Sequence, residues 1–223
     1  VPDVEAWVRS LKQGPYHTWD EVVDTMEWAA AQYPEICRLD TLGFSVEGRP
    51  ILAWLVSDNP SQLEPEPRVR VMGNVHGDEL IGCEVPLRFG LWLLENYSSN
   101  PQVKALVDSL EIWVVPVMNP DGHVHDTRYN ANGVDLNRDQ GYFWGGEGWS
   151  PSPISQPESK AYYAHLLRTA PSLEFVYHSV AEYVNYPWDW SPIDPPDSEL
   201  IAQEAQAYAQ VAGLQPTNGY DWS

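Results

Sequence analysis

Between Glu111 and Met118 the chain reads EIWVVPVM, a run of strand length in which every residue after the first is apolar. A strand with one face in water alternates polar and apolar residues, so a strand without alternation is covered on both faces. Cover on both sides of a sheet comes from helices. The neighbouring segments agree: Arg68–Val75 and Ser172–His178 read as strands, and helical patterns run over Glu79–Asn96, Pro101–Ser109 and Pro157 to about Ala170. The expected architecture is α/β, with a mixed, mostly parallel central sheet and helices on both faces, in one domain over residues 1–223. Ahead of this stretch, Pro2–Leu11 reads as a short helix, and Thr18-x-x-Glu21 is a capping-box start for a helix ending near Gln32. Ile36–Ser45 and Arg49–Ser57 read as a hairpin turning at Gly48, and Asp197–Ala212 as a last helix.

Charge narrows the partners. With 32 acidic against 12 basic residues the net charge is -20, which repels nucleic acid and anionic membrane surfaces and favours cationic partners. Such acidity also suits a secreted or periplasmic protein. No apolar run approaches the ~20 residues of a membrane-spanning helix, and VPDVEAW has neither the basic nor the apolar region of an export signal, so any such signal is removed or absent. Cys37 and Cys83 either form one bridge or stay as small buried hydrophobes.

Open α/β sheets bind ligands outside the carboxyl ends of their strands, and His76, Asn119 and His178 each fall at such an end. His76-Gly-Asp-Glu79 sets a histidine and a carboxylate three residues apart at a strand-to-helix junction, with Gly77 allowing a tight turn. Taken alone, the pair is equally a strand-end histidine and a first-turn glutamate favoured by the helix dipole. A catalytic zinc takes three protein ligands and keeps one position open. His178 is the third choice, because His17 and His165 lie on helix-like stretches where a solvated histidine is expected, and His123 and His125 lie in a loop expected at the surface.

These segments, together with Met118-Asn-Pro-Asp-Gly122, Arg128, Asn132-Gly-Val-Asp-Leu-Asn-Arg138, Gln156-Pro-Glu158 and Asn185-Tyr-Pro-Trp-Asp189, resemble the zinc metallocarboxypeptidase family in order and spacing. The likeness is nearest to its regulatory N, E, M and D branch and extends to Thr217-Asn-Gly-Tyr-Asp-Trp222. It implies an enzyme that removes C-terminal residues from peptides or proteins, with one zinc on His76, Glu79 and His178. Zinc lowers the pKa of water that it binds to about 7 and polarises a carbonyl. By the same resemblance Arg128 stabilises the oxyanion, Asn137 and Arg138 clamp the terminal carboxylate, and Asp189 receives a Lys or Arg side chain. The family's general-base glutamate and mobile tyrosine follow the segment matched by Thr217–Trp222 and are not found before Ser223, so the resemblance implies a longer protein. Glu182 is not at the base's position. Two other readings stand beside this one: an aspartoacylase-like amidohydrolase, against which Asn119–Gly122 and Asn185–Asp189 speak, and a non-catalytic module that binds zinc or peptide.

Overall fold

The computed structural model describes residues 16–222 apart from 63, 142 and 143, and no side chain at 221 or 222; the helix expected at Pro2–Leu11 lies outside the described residues. The chain forms two compact units, residues 1–179 and 180–223.

The first unit holds a five-stranded sheet in the order β1-β2-β4-β3-β5, built from β1 (Cys37–Phe44), β2 (Pro50–Val56), β3 (Arg68–Gly73), β4 (Glu111–Val115) and β5 (Leu173–Tyr177). β3 pairs in parallel with β4 and β5, while β2 is antiparallel to both β1 and β4, so all strands but β2 run one way. Residues of β2 divide between two cores. Leu52, Trp54 and Val56 pack with Trp19, Val22 and Met26 of α1 (Trp19–Gln32) and with Cys83 and Leu87 of α2 (Leu80–Asn96). Ile51, Ala53 and Leu55 pack on the other side with Met72, Trp113, Val115 and Met118, and there Ala161 of α5 (Pro157–Thr169) closes the layer. This is why β4 is apolar after Glu111: all its residues are buried. The capping box of α1 forms as read, with the Thr18 side chain accepting from the Glu21 amide and the Glu21 carboxylate from the Thr18 amide. Between α2 and β4 lies the short α3 (Pro101–Val107).

Charged and polar groups also enter the interior of this unit. Arg70 of β3 is 1 % exposed. It is kept in the interior by Glu174, at 2.7 and 3.0 Å, and by the Tyr162 ring. Asn119–Gly122 is not a free turn: Asn119 accepts from the Gly122 amide and caps a short helix, α4 (Pro120–His125). His165 and His123 are buried, not solvated. The first packs edge-on against Trp113 beside Arg70, and burial pushes its pKa down to about 3. The two cysteines are both free and buried, and burial raises the Cys37 thiol to about 12.

The second unit is a βαβ arrangement: β6 (Tyr183–Tyr186) lies parallel to β7 (Gln215–Asn218), and α6 (Ser198–Ala212) connects them, burying Ala205 and Ala209. A one-turn helix, α7 (Gly219–Trp222), follows.

Candidate active site

β3 and β5 are neighbours in parallel register, with Gly73 opposite Tyr177, so the residues just past them leave the sheet side by side. His76 and His178 are thereby brought together. Their Nδ1 atoms are 3.2 Å apart, the Glu79 carboxylate is 3.0 Å from that of His76 and 2.9 Å from that of His178. The carboxylate meets His76 through Oε1 and His178 through Oε2, and one ligand atom from each residue lies within 4.8 Å of the others; donors on a tetrahedron around zinc at ~2.0–2.1 Å would be about 3.3 Å apart, so the three residues are close enough to share one ion. Two imidazole lone pairs facing each other at such range repel unless a proton or a metal cation lies between them, and the ring nitrogens and carboxylate are the donor types zinc prefers.

Glu79 reaches the site because it is the residue before α2, where the chain is turning out of the strand. The turn itself is made by Asn74, whose φ is 51°, and not by Gly77. Gly77 is required for another reason: a Cβ there would sit 2.0 Å from the Gly122 carbonyl carbon, so the loop rests on the backbone of α4.

Asp135 is the residue the sequence reading left without a role. Its Oδ1 lies 3.3 Å from His76 Nε2, and its Oδ2 accepts from Arg128 Nε at 2.8 Å. The same carboxylate caps the 3-10 turn Leu136–Arg138, accepting from the Asn137 amide at 2.9 Å. A histidine that ligates through one ring nitrogen usually gives the other N–H to a carboxylate. That rule was the available signal, since Asp135 stands two residues before Asn137 in a motif already singled out. Burial would raise the Asp135 pKa, but His76 and Arg128 hold it at about 2. For Glu79 burial is likewise outweighed, by His178 and then His76, again to about 2. Burial would lower His76, and the Asp135 and Glu79 carboxylates turn the shift upward.

Arg128 NH1 lies 3.3 Å from His76 Nδ1, so the cation stands at the edge of the triangle. Asn137 and Arg138 are exposed, and the ion pair of Arg138 with the exposed Glu147, at 3.5 Å, is of a kind worth only about 0–1 kcal/mol. Their side chains are therefore available to a ligand. Beside Asn137 a cavity of about 210 Å³ is lined by Met72, Val75, Met118, Leu136 and Val176 together with Gln140, Ser159 and Tyr162. Asp189 belongs to the second unit, is exposed and accepts from Asn185 Nδ2 at 2.6 Å; Glu182 is exposed there too.

A family model described as "Zinc carboxypeptidase" matches residues 22–220. The chain belongs to the zinc carboxypeptidase family. Among curated members of this hydrolase family, the chain is 35% identical over 176 residues to carboxypeptidase SOL1 of Arabidopsis thaliana, covering 78% of this chain and 35% of that protein. It is 32% identical to the rat carboxypeptidase N catalytic chain (Rattus norvegicus), covering 89% of this chain and 52% of the other. It thus spans about half the length, or less, of these curated carboxypeptidases. Among solved structures, carboxypeptidase A from Helicoverpa armigera superposes with a TM-score of 0.82 at 22% identity, over 92% of this chain and 58% of that one, a likeness of fold. The carboxypeptidase fold that the resemblance implied is the one found. Among the described residues no helix is long and apolar enough to cross a membrane.

Proposed function

We propose that the chain binds one zinc ion through His76, Glu79 and His178 and acts in removing C-terminal residues from peptides. The observation that carries this reading is the triangle of Nδ1, carboxylate and Nδ1 atoms, all within 4.8 Å of one another, at the ends of adjacent parallel strands. A zinc ion held there supplies Lewis acidity toward water and the scissile carbonyl. Asp135 keeps the His76 ring turned with Nδ1 toward the site. It also fixes Arg128, whose guanidinium then faces the oxygen on which charge develops. Asn137 and Arg138, presented on the turn that Asp135 caps, hold the terminal carboxylate, for which a guanidinium fork is suited. Glu79 and Asp135 are both committed to these partners, so the proton of the attacking water goes to a different base. Without such a base the reaction loses about 10² to 10⁴ in rate. The strongly acidic surface supports action outside the cytoplasm, secreted or periplasmic, on peptides and not on nucleic acid or membranes.

The test uses the purified chain loaded with zinc. It should take up one zinc per chain and bind a peptide with a free C-terminal carboxylate at least tenfold more tightly than the same peptide as its C-terminal amide, the worth of one charge-assisted contact of about 1.5–3 kcal/mol. Release of the terminal residue, however slow, should stop on chelation. Equal binding of acid and amide would end the exopeptidase reading, and turnover of acyl-amino acids in place of peptides would favour the amidohydrolase alternative.

A further inference from the structure

We infer that His123 is a positioning residue for the metal-binding loop: through Asn74 it fixes the amide around which residues 75–79 are wound. The inference rests on the zinc reading above. Asn74 is 0 % exposed, and its Nδ2 donates to three carbonyls of that loop, His76 at 2.9 Å, Gly77 at 3.1 Å and Glu79 at 3.2 Å. An amide rotated by half a turn would set its oxygen against those three oxygens. The orientation that avoids this leaves Oδ1 pointing away and in need of a donor, since a buried acceptor without one costs free energy. That donor is His123 Nδ1, 2.8 Å away. The other ring nitrogen, Nε2, lies 3.0 Å from the carbonyl oxygen of His17. In turn the amide and Nδ1 of His17 both meet Glu84 Oε1, at 2.7 and 2.8 Å. Glu84 is on α2, the helix that begins directly after Glu79. The bonds therefore close a ring: Asn74, the loop, α2, His17, His123 and Asn74 again.

A neutral imidazole has one N–H and cannot serve two acceptors. The Asn74 oxygen has no other orientation, so the neutral ring must carry its proton on Nδ1, and the contact to His17 becomes a hydrogen bond only in the imidazolium. Burial disfavours the charged form and prevails over the His17 carbonyl, Glu84 on α2 and Asp126 at the end of α4, which favour it. Asp20 of α1, Arg49 just before β2 and the His17 ring line the cavity beside this histidine.

The inference can be tested without turnover. In the metal-free chain at neutral pH, the ¹⁵N shifts of the His123 ring should show a protonated Nδ1 and a bare Nε2; the reverse tautomer overturns it. Zinc affinity, read by competition with a chromogenic chelator, should then fall about 10–100-fold in His123→Phe, the range for loss of an outer-shell partner. His123→Asn keeps an N–H where Nδ1 was and cannot reach His17, so it should stay within about threefold of wild type. His123→Phe binding zinc as wild type does, or His123→Asn losing as much as His123→Phe, overturns the inference. Should His123→Phe fail to fold, the tautomer decides alone. A wild-type chain that takes up no zinc sinks the proposed function and leaves the tautomer result to judge His123.

Discussion

The corner formed by His76, Glu79 and His178 and the segment Asn185–Asp189 were read from the same kind of motif, yet the structure supports them very differently. In the first, each functional group is held by several others: Asp135 alone joins a ring nitrogen, a guanidinium and a backbone amide, and Asn74 gathers three carbonyls. In the second, Asp189 is exposed and accepts from Asn185 Nδ2, and a Cβ on Gly219 would lie 1.8 Å from its Oδ1. Chemistry that depends on distances of a few tenths of an ångström needs over-determined side chains. Recognition of a long, flexible side chain does not. The buried polar groups of this chain are thus spent on fixing the corner of His76, Glu79 and His178, whereas the Asp189 carboxylate stands at the surface.

The comparison breaks most readily at a ligand. His178→Ala should reduce zinc affinity by more than the ~100-fold limit for outer-shell changes; zinc content equal to wild type after dialysis would remove His178 from the site. Asp135→Ala should cost less, about 10–100-fold in zinc affinity, because the ring of His76 loses its acceptor while all three donors remain. If instead Asp189→Ala lowered zinc affinity as much, the contrast between the two regions would collapse.

An intermediate effect is expected from His165, buried under the same sheet. Its folded-state pKa of about 3 lies below the ordinary 6.5, so below pH 6.5 the unfolded chain binds a proton that the folded chain refuses. Stability from this group is complete above 6.5 and falls by up to about 1.4 kcal/mol per pH unit down to about 3. His165→Phe should flatten the acid limb of urea-unfolding stability over that window. A limb as steep as wild type would show that other groups set it.

The smallest effect is expected at Asp189. An exposed carboxylate paired with a cationic side chain contributes about 0–1 kcal/mol, so Asp189→Ala should reduce the preference for peptides ending in Lys or Arg over Phe or Leu by no more than about fivefold. Competition among peptides differing only in that last residue measures it, and a wild-type preference for Phe or Leu would remove Asp189 from specificity.

The layered sheet and the strand-end position of the candidate site were legible because apolar runs and helix caps are local signals: EIWVVPVM reads as a doubly covered strand, of which Glu111–Val115 forms β4, and Thr18-x-x-Glu21 reads as the start of a helix. What stayed hidden was set by long-range pairing. Arg70 and His165 look solvated until Glu174 and Trp113 are brought to them. Asp135 looks like one more loop aspartate until β3 delivers His76 to it, and β6 and β7 are too short, with Pro216 inside the latter, to register as strands.

Pro86 lacks the N–H that would bond the carbonyl of Gly82 four residues back. That carbonyl oxygen is turned onto β3, where a Cβ on Gly73 would come within 1.9 Å of it, while a Cβ on Gly82 would meet the Tyr177 oxygen at 2.9 Å. Helix and strand thus meet backbone to backbone just ahead of residues 75–79. For anyone wishing to transplant this centre into another α/β scaffold, the portable cassette is not the three ligands. It must carry Gly73, Gly77, Gly82, Pro86 and Gly122 with them, because a host with ordinary side chains at those places could not bring its helix near enough for Glu79 to meet the two histidines.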